Sequence, residues 1–152
     1  MTTVRLEGRH FEDVAVGEQL PIVAYPLTVY RLVMAAGANR DFNSIHHNTE
    51  YARMTGAPEM YANTSFLMSS WERCVRDWAG LTGTIRSIRD FRMRSFNTVG
   101  DTMRVLAEVT DTRVEDGVGV VDVAVRCENS KGVTVGPGTV TVTLPRREEA
   151  QA

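Results

Sequence analysis

Lysine is almost missing from this chain. Lys131 is the only one in 152 residues, so nearly all of the 17 basic side chains are arginines. Against 19 acidic residues this leaves a formal net charge of -2, which offers no electrostatic footprint for nucleic acid. Cysteine is equally scarce. Cys74 and Cys127 lack both the CxxC spacing of a zinc site and the density of a disulfide scaffold, and read as small buried apolar residues. No apolar run approaches membrane-spanning length, and Met1–Arg5 shows no basic region leading into an apolar core, so a soluble, cytoplasmic protein is expected. Internal repeats are absent. The length suits one domain over residues 1–145, with a polar tail at 146–152 that is expected to fray.

What is present changes period along the chain. Ile22 to Leu27 is β-branched and apolar enough for a strand, and Thr28 can cap a short helix in which Val29, Leu32, Val33 and Ala36 recur at helical spacing before Gly37 stops it. Asn48 caps a second short helix, Thr49 to Thr55, closed by Gly56. Asn63 and Thr64 open one long helix that runs to about Ala79 and ends at Gly80. Leu67, Trp71, Cys74, Val75 and Trp78 form its apolar stripe, widened by Phe66 and Met68. From Ile85 the period becomes two. Phe91 and Met93 alternate with Arg92 and Arg94, and three further alternating runs centre on Val105, Val123 and Val142. Turn signals at Gly100-Asp101, Asp116-Gly117 and Ser130-Lys131-Gly132 separate them as in an antiparallel meander, with an interruption at Gly136-Pro137-Gly138. The fold class expected is α+β: one curved antiparallel sheet wrapped round one long central helix. Its uncovered edge predicts at least a dimer.

Between the two short helices the chain concentrates chemistry. Asp41, Asn43 and His46 fall within six residues in the run Asp41-Phe42-Asn43-Ser44-Ile45-His46. Asp, Asn and Ser favour turns by bonding nearby backbone amides, so this stretch is expected to fold back and let Asp41 meet His46, with Phe42 and Ile45 as apolar neighbours. By spacing alone, Asp41-x-Asn43 is an ordinary Asx turn and His46 a loop histidine.

That run, with Tyr51-Ala52 and Gly56 after it, resembles the MaoC-like hydratases, the (R)-specific enoyl-CoA hydratases of the hot-dog fold. Their motif is G-D-x-N-P-[IL]-H, followed by A-H-G-M at the start of the central helix. The segment Phe11 to Leu20 and the turn Val99-Gly100-Asp101-Thr102 are similar too, so the resemblance covers nearly the whole chain. It implies hydration of a trans-2-enoyl-CoA, or the reverse dehydration, by Asp41 and His46 as the catalytic pair, with Asn43 holding the loop and no metal or redox cofactor. Here Arg40 replaces Gly and Ser44 replaces Pro. Asn63 stands for His and Thr64 for the Gly whose N–H faces the thioester oxygen.

Asn43, Asn63, Thr64, Arg92 and Arg94 are accordingly the expected substrate contacts. The two arginines belong to a basic cluster with Arg86 and Arg89 that could take coenzyme A phosphates or simply guard a strand edge. Met54, Met60 and Met68 are candidate lining for an acyl pocket or plain core filler. Glu72, inside the long helix, is the acid a hot-dog thioesterase would use, although a surface pair with Arg76 explains it too. The partner implied is a second hot-dog chain, identical or a sister subunit. A non-catalytic subunit that binds an acyl thioester or supports a catalytic sister is the alternative from another class.

Overall fold

The computed structural model describes residues 8–147. A short 3-10 turn at Phe11–Asp13 precedes β1 (Val23–Pro26), α1 (Val29–Ala38), a second 3-10 turn (Ser44–His46), α2 (Thr49–Met54) and α3 (Thr64–Ala79). Four strands follow: β2 (Thr84–Arg89), β3 (Thr102–Glu115), β4 (Val118–Asn129) and β5 (Gly132–Leu144). All five strands form one antiparallel sheet in the order β1-β3-β4-β5-β2. Only β3-β4-β5 is a meander. The strand that follows α3 crosses to pair with β5, because the helix carries the chain to the far edge of the sheet.

The expected core is found. Leu67, Trp71, Cys74, Val75 and Trp78 are all buried, and α3 packs on β2, β3, β4 and β5. Against it the strands turn one set of alternating side chains inward, among them Met103, Val105, Val109, Val123, Val125 and Val142. The stripe on α3 is therefore core packing. Trp71 donates its indole N–H to Cys127 Sγ at 3.2 Å. Burial drives the Cys74 thiol up to about 12, which leaves it an inert apolar group.

Three expectations need correction. The alternation at Phe91–Arg94 is not a strand: β2 ends at Arg89, where Asp90 turns left-handed at φ 56°, and beyond it only Met93 makes an isolated bridge, to Val135. Gly37 does not stop α1. The helix continues to Ala38 and ends in a Schellman motif, with the Arg40 N–H on the Gly37 carbonyl and the Asp41 N–H on the Ala36 carbonyl. Of the apolar positions in α1, Leu32 and Ala36 are buried while Val29 and Val33 face outward. The interruption at Gly136 holds: β5 loses register with β4 there, and a Cβ at Gly136 would lie 2.8 Å from Trp71. At the C-terminus, Arg146 and Arg147 reach Glu12 and Asp13. The rest of the expected tail lies outside the described residues.

Candidate active site

The Schellman motif decides where the site begins. It reverses the chain at Arg40, whose φ is +54°, and delivers Asp41 straight off the end of α1. Arg40 thus occupies the left-handed position that glycine fills best, which explains the glycine at this point in the resembling motif. Next come two small bonds of the kind the sequence foretold. Asn43 N–H reaches Asp41 Oδ1 at 3.4 Å, and Asn43 Oδ1 caps the 3-10 turn by accepting from Ile45 N–H at 3.2 Å. That turn points the His46 ring inward, where it is 6% exposed.

His46 is then fixed at both nitrogens. Nδ1 lies 2.8 Å from the Tyr61 carbonyl, which can only accept, so Nδ1 carries a hydrogen. Nε2 lies 3.2 Å from Asp41 Oδ2. With Nδ1 committed to Tyr61, Nε2 is the ring nitrogen left to exchange a proton with the carboxylate or with a bound molecule. Asp41 keeps 37% of its side chain open to solvent. Phe42, expected as an apolar neighbour of Asp41, is 75% exposed.

The second half of the site is the start of α3. Asn63 is buried and caps the helix, its Oδ1 accepting from Phe66 N–H at 3.0 Å while its Nδ2 donates to Asp41 Oδ2 at 3.3 Å. Thr64, the first helical residue, is exposed. Its N–H and that of Ser65 have no acceptor among the described residues, so they present two donors and the positive end of the helix dipole. Thr64 Oγ1 sits 3.7 Å from Met93 Sδ.

Tyr61 and Met93 are participants that the sequence did not announce. The Tyr61 ring meets His46 edge-on at 5.3 Å and Phe96 at 4.7 Å. Burial, and after it the nearby Asp41 charge, push its phenol pKa up, so it stays protonated. With Leu67, Met93, Phe96 and Asn97 it walls a cavity of about 290 Å³ beside the first turn of α3. Met60 is buried and Met54 is exposed, so neither lines this cavity.

Arg92 and Arg94 flank Met93 and line a polar cleft of about 380 Å³ with Asp90 and Phe91. Arg94 Nε donates to the Gly136 carbonyl. No carboxylate lies within ion-pair distance of either arginine among the described residues, whereas Arg86 pairs with Glu115 at 3.0 Å and Arg89 with Asp122 at 3.6 Å. The basic cluster therefore divides: its first half braces the sheet and its second half opens to solvent. Within α3 the i,i+4 ion pair is Arg73–Asp77 at 2.7 Å, not Glu72–Arg76. No group of three or more metal-ligating side chains occurs among the described residues, and no helix there is long and apolar enough to cross a membrane.

No family model matches the chain. It is 34% identical over 117 residues to the 3-oxo-4,17-pregnadiene-20-carboxyl-CoA hydratase beta subunit of Mycobacterium tuberculosis, covering 77% of this chain and 84% of that one. Among solved structures it superposes on a chain of the ChsH1-ChsH2 complex from Mycobacterium tuberculosis with a TM-score of 0.74 and 32% identity, over 88% of this chain and 98% of that chain. The (R)-hydratase from A. caviae involved in PHA biosynthesis gives a TM-score of 0.78 at 19% identity, over 88% of this chain and 99% of that chain, which is a likeness of fold.

Proposed function

The chain belongs to the MaoC-like family of hot-dog hydratases and dehydratases, and from that premise we propose that it adds water to a trans-2-enoyl-CoA to give the (R)-3-hydroxyacyl-CoA, or runs the reverse dehydration. One observation carries the reading: Asp41 Oδ2 and His46 Nε2 lie 3.2 Å apart, beside the two free N–H donors that open α3.

Those parts suit the chemistry. Water attacks C3 as a base removes its proton, C2 gains a proton, and charge that builds on the thioester oxygen must be stabilised. The Asp41 carboxylate faces the open side and can take the proton from water, and the His46 side of the pair returns one to C2. Thr64 and Ser65 N–H meet the developing oxyanion at the positive end of the helix dipole. The acyl chain would lie in the cavity walled by Tyr61, Leu67, Met93 and Phe96. Because Met93 touches Thr64, the two arginines beside it stand where the phosphates of coenzyme A would leave the site. Only the thioester substrate and water are needed.

We place the chain in an assembly with a sister hot-dog subunit. The relative in Mycobacterium tuberculosis is named as a beta subunit, and the chain superposes on a member of the ChsH1-ChsH2 complex. The intact acid-base pair favours a catalytic role within that assembly over a purely supporting one. A thioesterase acting through Glu72 is disfavoured by reach, because eight residues at 1.5 Å each put it about 12 Å along α3 from Thr64.

The reaction run in deuterium oxide tests the proposal. Product with the (R) hydroxyl at C3 and a single deuterium at C2 is expected. A racemic product, or free thiol in place of the hydroxyacyl thioester, would overturn it.

A further inference from the structure

One side chain touches both halves of the site. Asn63 Nδ2 donates to Asp41 Oδ2, and Asn63 Oδ1 caps the helix whose first N–H groups face the substrate. Both polar atoms of this buried amide are thus engaged by the protein. The orientation is forced: Phe66 N–H can only donate, so Oδ1 must face the helix and Nδ2 must face the carboxylate.

Resting on the hydratase reading, we infer that Asn63 is a positioning residue that fixes the reacting carboxylate relative to the oxyanion donors, acting through Asp41 and α3 and not by touching substrate. Three groups converge on the Asp41 carboxylate. His46 Nε2 and Asn63 Nδ2 meet Oδ2, and the Asn43 N–H reaches Oδ1 at 3.4 Å. Oδ2 is saturated by this arrangement and Oδ1 keeps a free lone pair, so Oδ1 is the atom that takes the proton from water. The base and the acid are thereby assigned: Asp41 accepts from water and His46 donates to C2. Displacing such a group by about 1 Å costs roughly 10²-fold in rate.

Two variants separate this role from the helix cap. Asn63→Ser keeps a good cap acceptor but loses the donor to Asp41, and Asn63→Asp keeps the cap and sets a second negative charge against the carboxylate. Among the described residues, the charged or titratable groups that face Asp41 are His46 from the 3-10 turn and Tyr61 from the segment before α3, and no arginine lies within ion-pair distance. With Asn63→Ser, kcat should fall by about 10²-fold while KM and thermal stability hardly move. With Asn63→Asp, the acid limb of the rate profile should shift to higher pH, because a like charge disfavours ionisation of the base.

Nitrogen NMR of the His46 ring gives a readout that needs no turnover. Its titration should move to higher pH in Asn63→Asp, where a second negative charge favours the imidazolium, and an unmoved titration would mean that Asn63 does not contact the pair. Unchanged rates, pH profile and His46 titration in Asn63→Ser and Asn63→Asp would overturn the inference. Should the wild-type protein hydrate no enoyl-CoA, the hydratase reading falls and the NMR titration alone decides whether Asn63 holds the pair.

Discussion

At the scale of single residues, the site depends on bonds that short side chains make to nearby backbone. Asp41, Asn43 and His46 were legible in the sequence because Asx-type bonding acts over two or three residues, and the turn it forces brings position 41 against position 46. Asn63 was legible as a helix cap for the same reason. Its bond to Asp41, which spans 22 residues, was not, and neither was the Tyr61 carbonyl that orients His46 from 15 residues away. No local pattern encodes such a meeting, since it exists only once α3 has docked. Arg40 offers a test at this scale. A non-glycine residue at φ +54° is strained, and its side chain makes no bond among the described residues. Arg40→Gly should stabilise the protein by about 0.5–1 kcal/mol after allowing for the greater freedom of glycine in the unfolded chain, as read by denaturant titration. A loss of stability would show that Arg40 has a role the backbone does not reveal.

At the scale of elements, α3 serves two purposes. Its buried stripe anchors the sheet, and its first turn supplies the N–H donors of the site. The two can be separated. Proline is tolerated at the first helical position, where its missing N–H costs the helix nothing, and Asn63 already has the extended backbone that a following proline requires, at φ -77° and ψ 158°. Thr64→Pro should therefore fold with near wild-type stability and lose about 10²–10³-fold in kcat. Retention of full rate would remove Thr64 N–H from the oxyanion site. The alternation at Phe91–Arg94 misled because period two records only that side chains point to opposite sides. Here an irregular segment sets Met93 in the wall of the cavity, Arg92 in the polar cleft, and Arg94 between the two, bordering both. The order of strands was also beyond the sequence, since local patterning does not say which edge β2 will join.

At the scale of the whole molecule, the segment carrying the acid-base pair is only half covered by its own chain. Tyr30 is 74% exposed and Met34 54%, next to the outward Val29 and Val33 on one side of α1. A helix this apolar is expected to bury that face, and a sister hot-dog chain is the occupant consistent with the assembly proposed above. Replacing Tyr30 and Met34 together with lysine should weaken that assembly in sedimentation velocity while leaving the circular dichroism spectrum unchanged. Undiminished association would place the interface elsewhere, with the exposed edge of β2 as the next surface to examine.

The proposed hydration depends on Asp41 and His46 acting together on one water. Its most direct test follows the ultraviolet absorbance of the conjugated enoyl thioester, with free thiol monitored in parallel, across substrates from crotonyl-CoA to ring-bearing enoyl-CoAs. Wild-type protein, alone or with its sister chain, should remove the absorbance without releasing thiol, and Asp41→Asn and His46→Gln should each lose about 10²–10⁴-fold in rate. Thiol release by the wild type, or hydration that persists in both variants, would contradict the account.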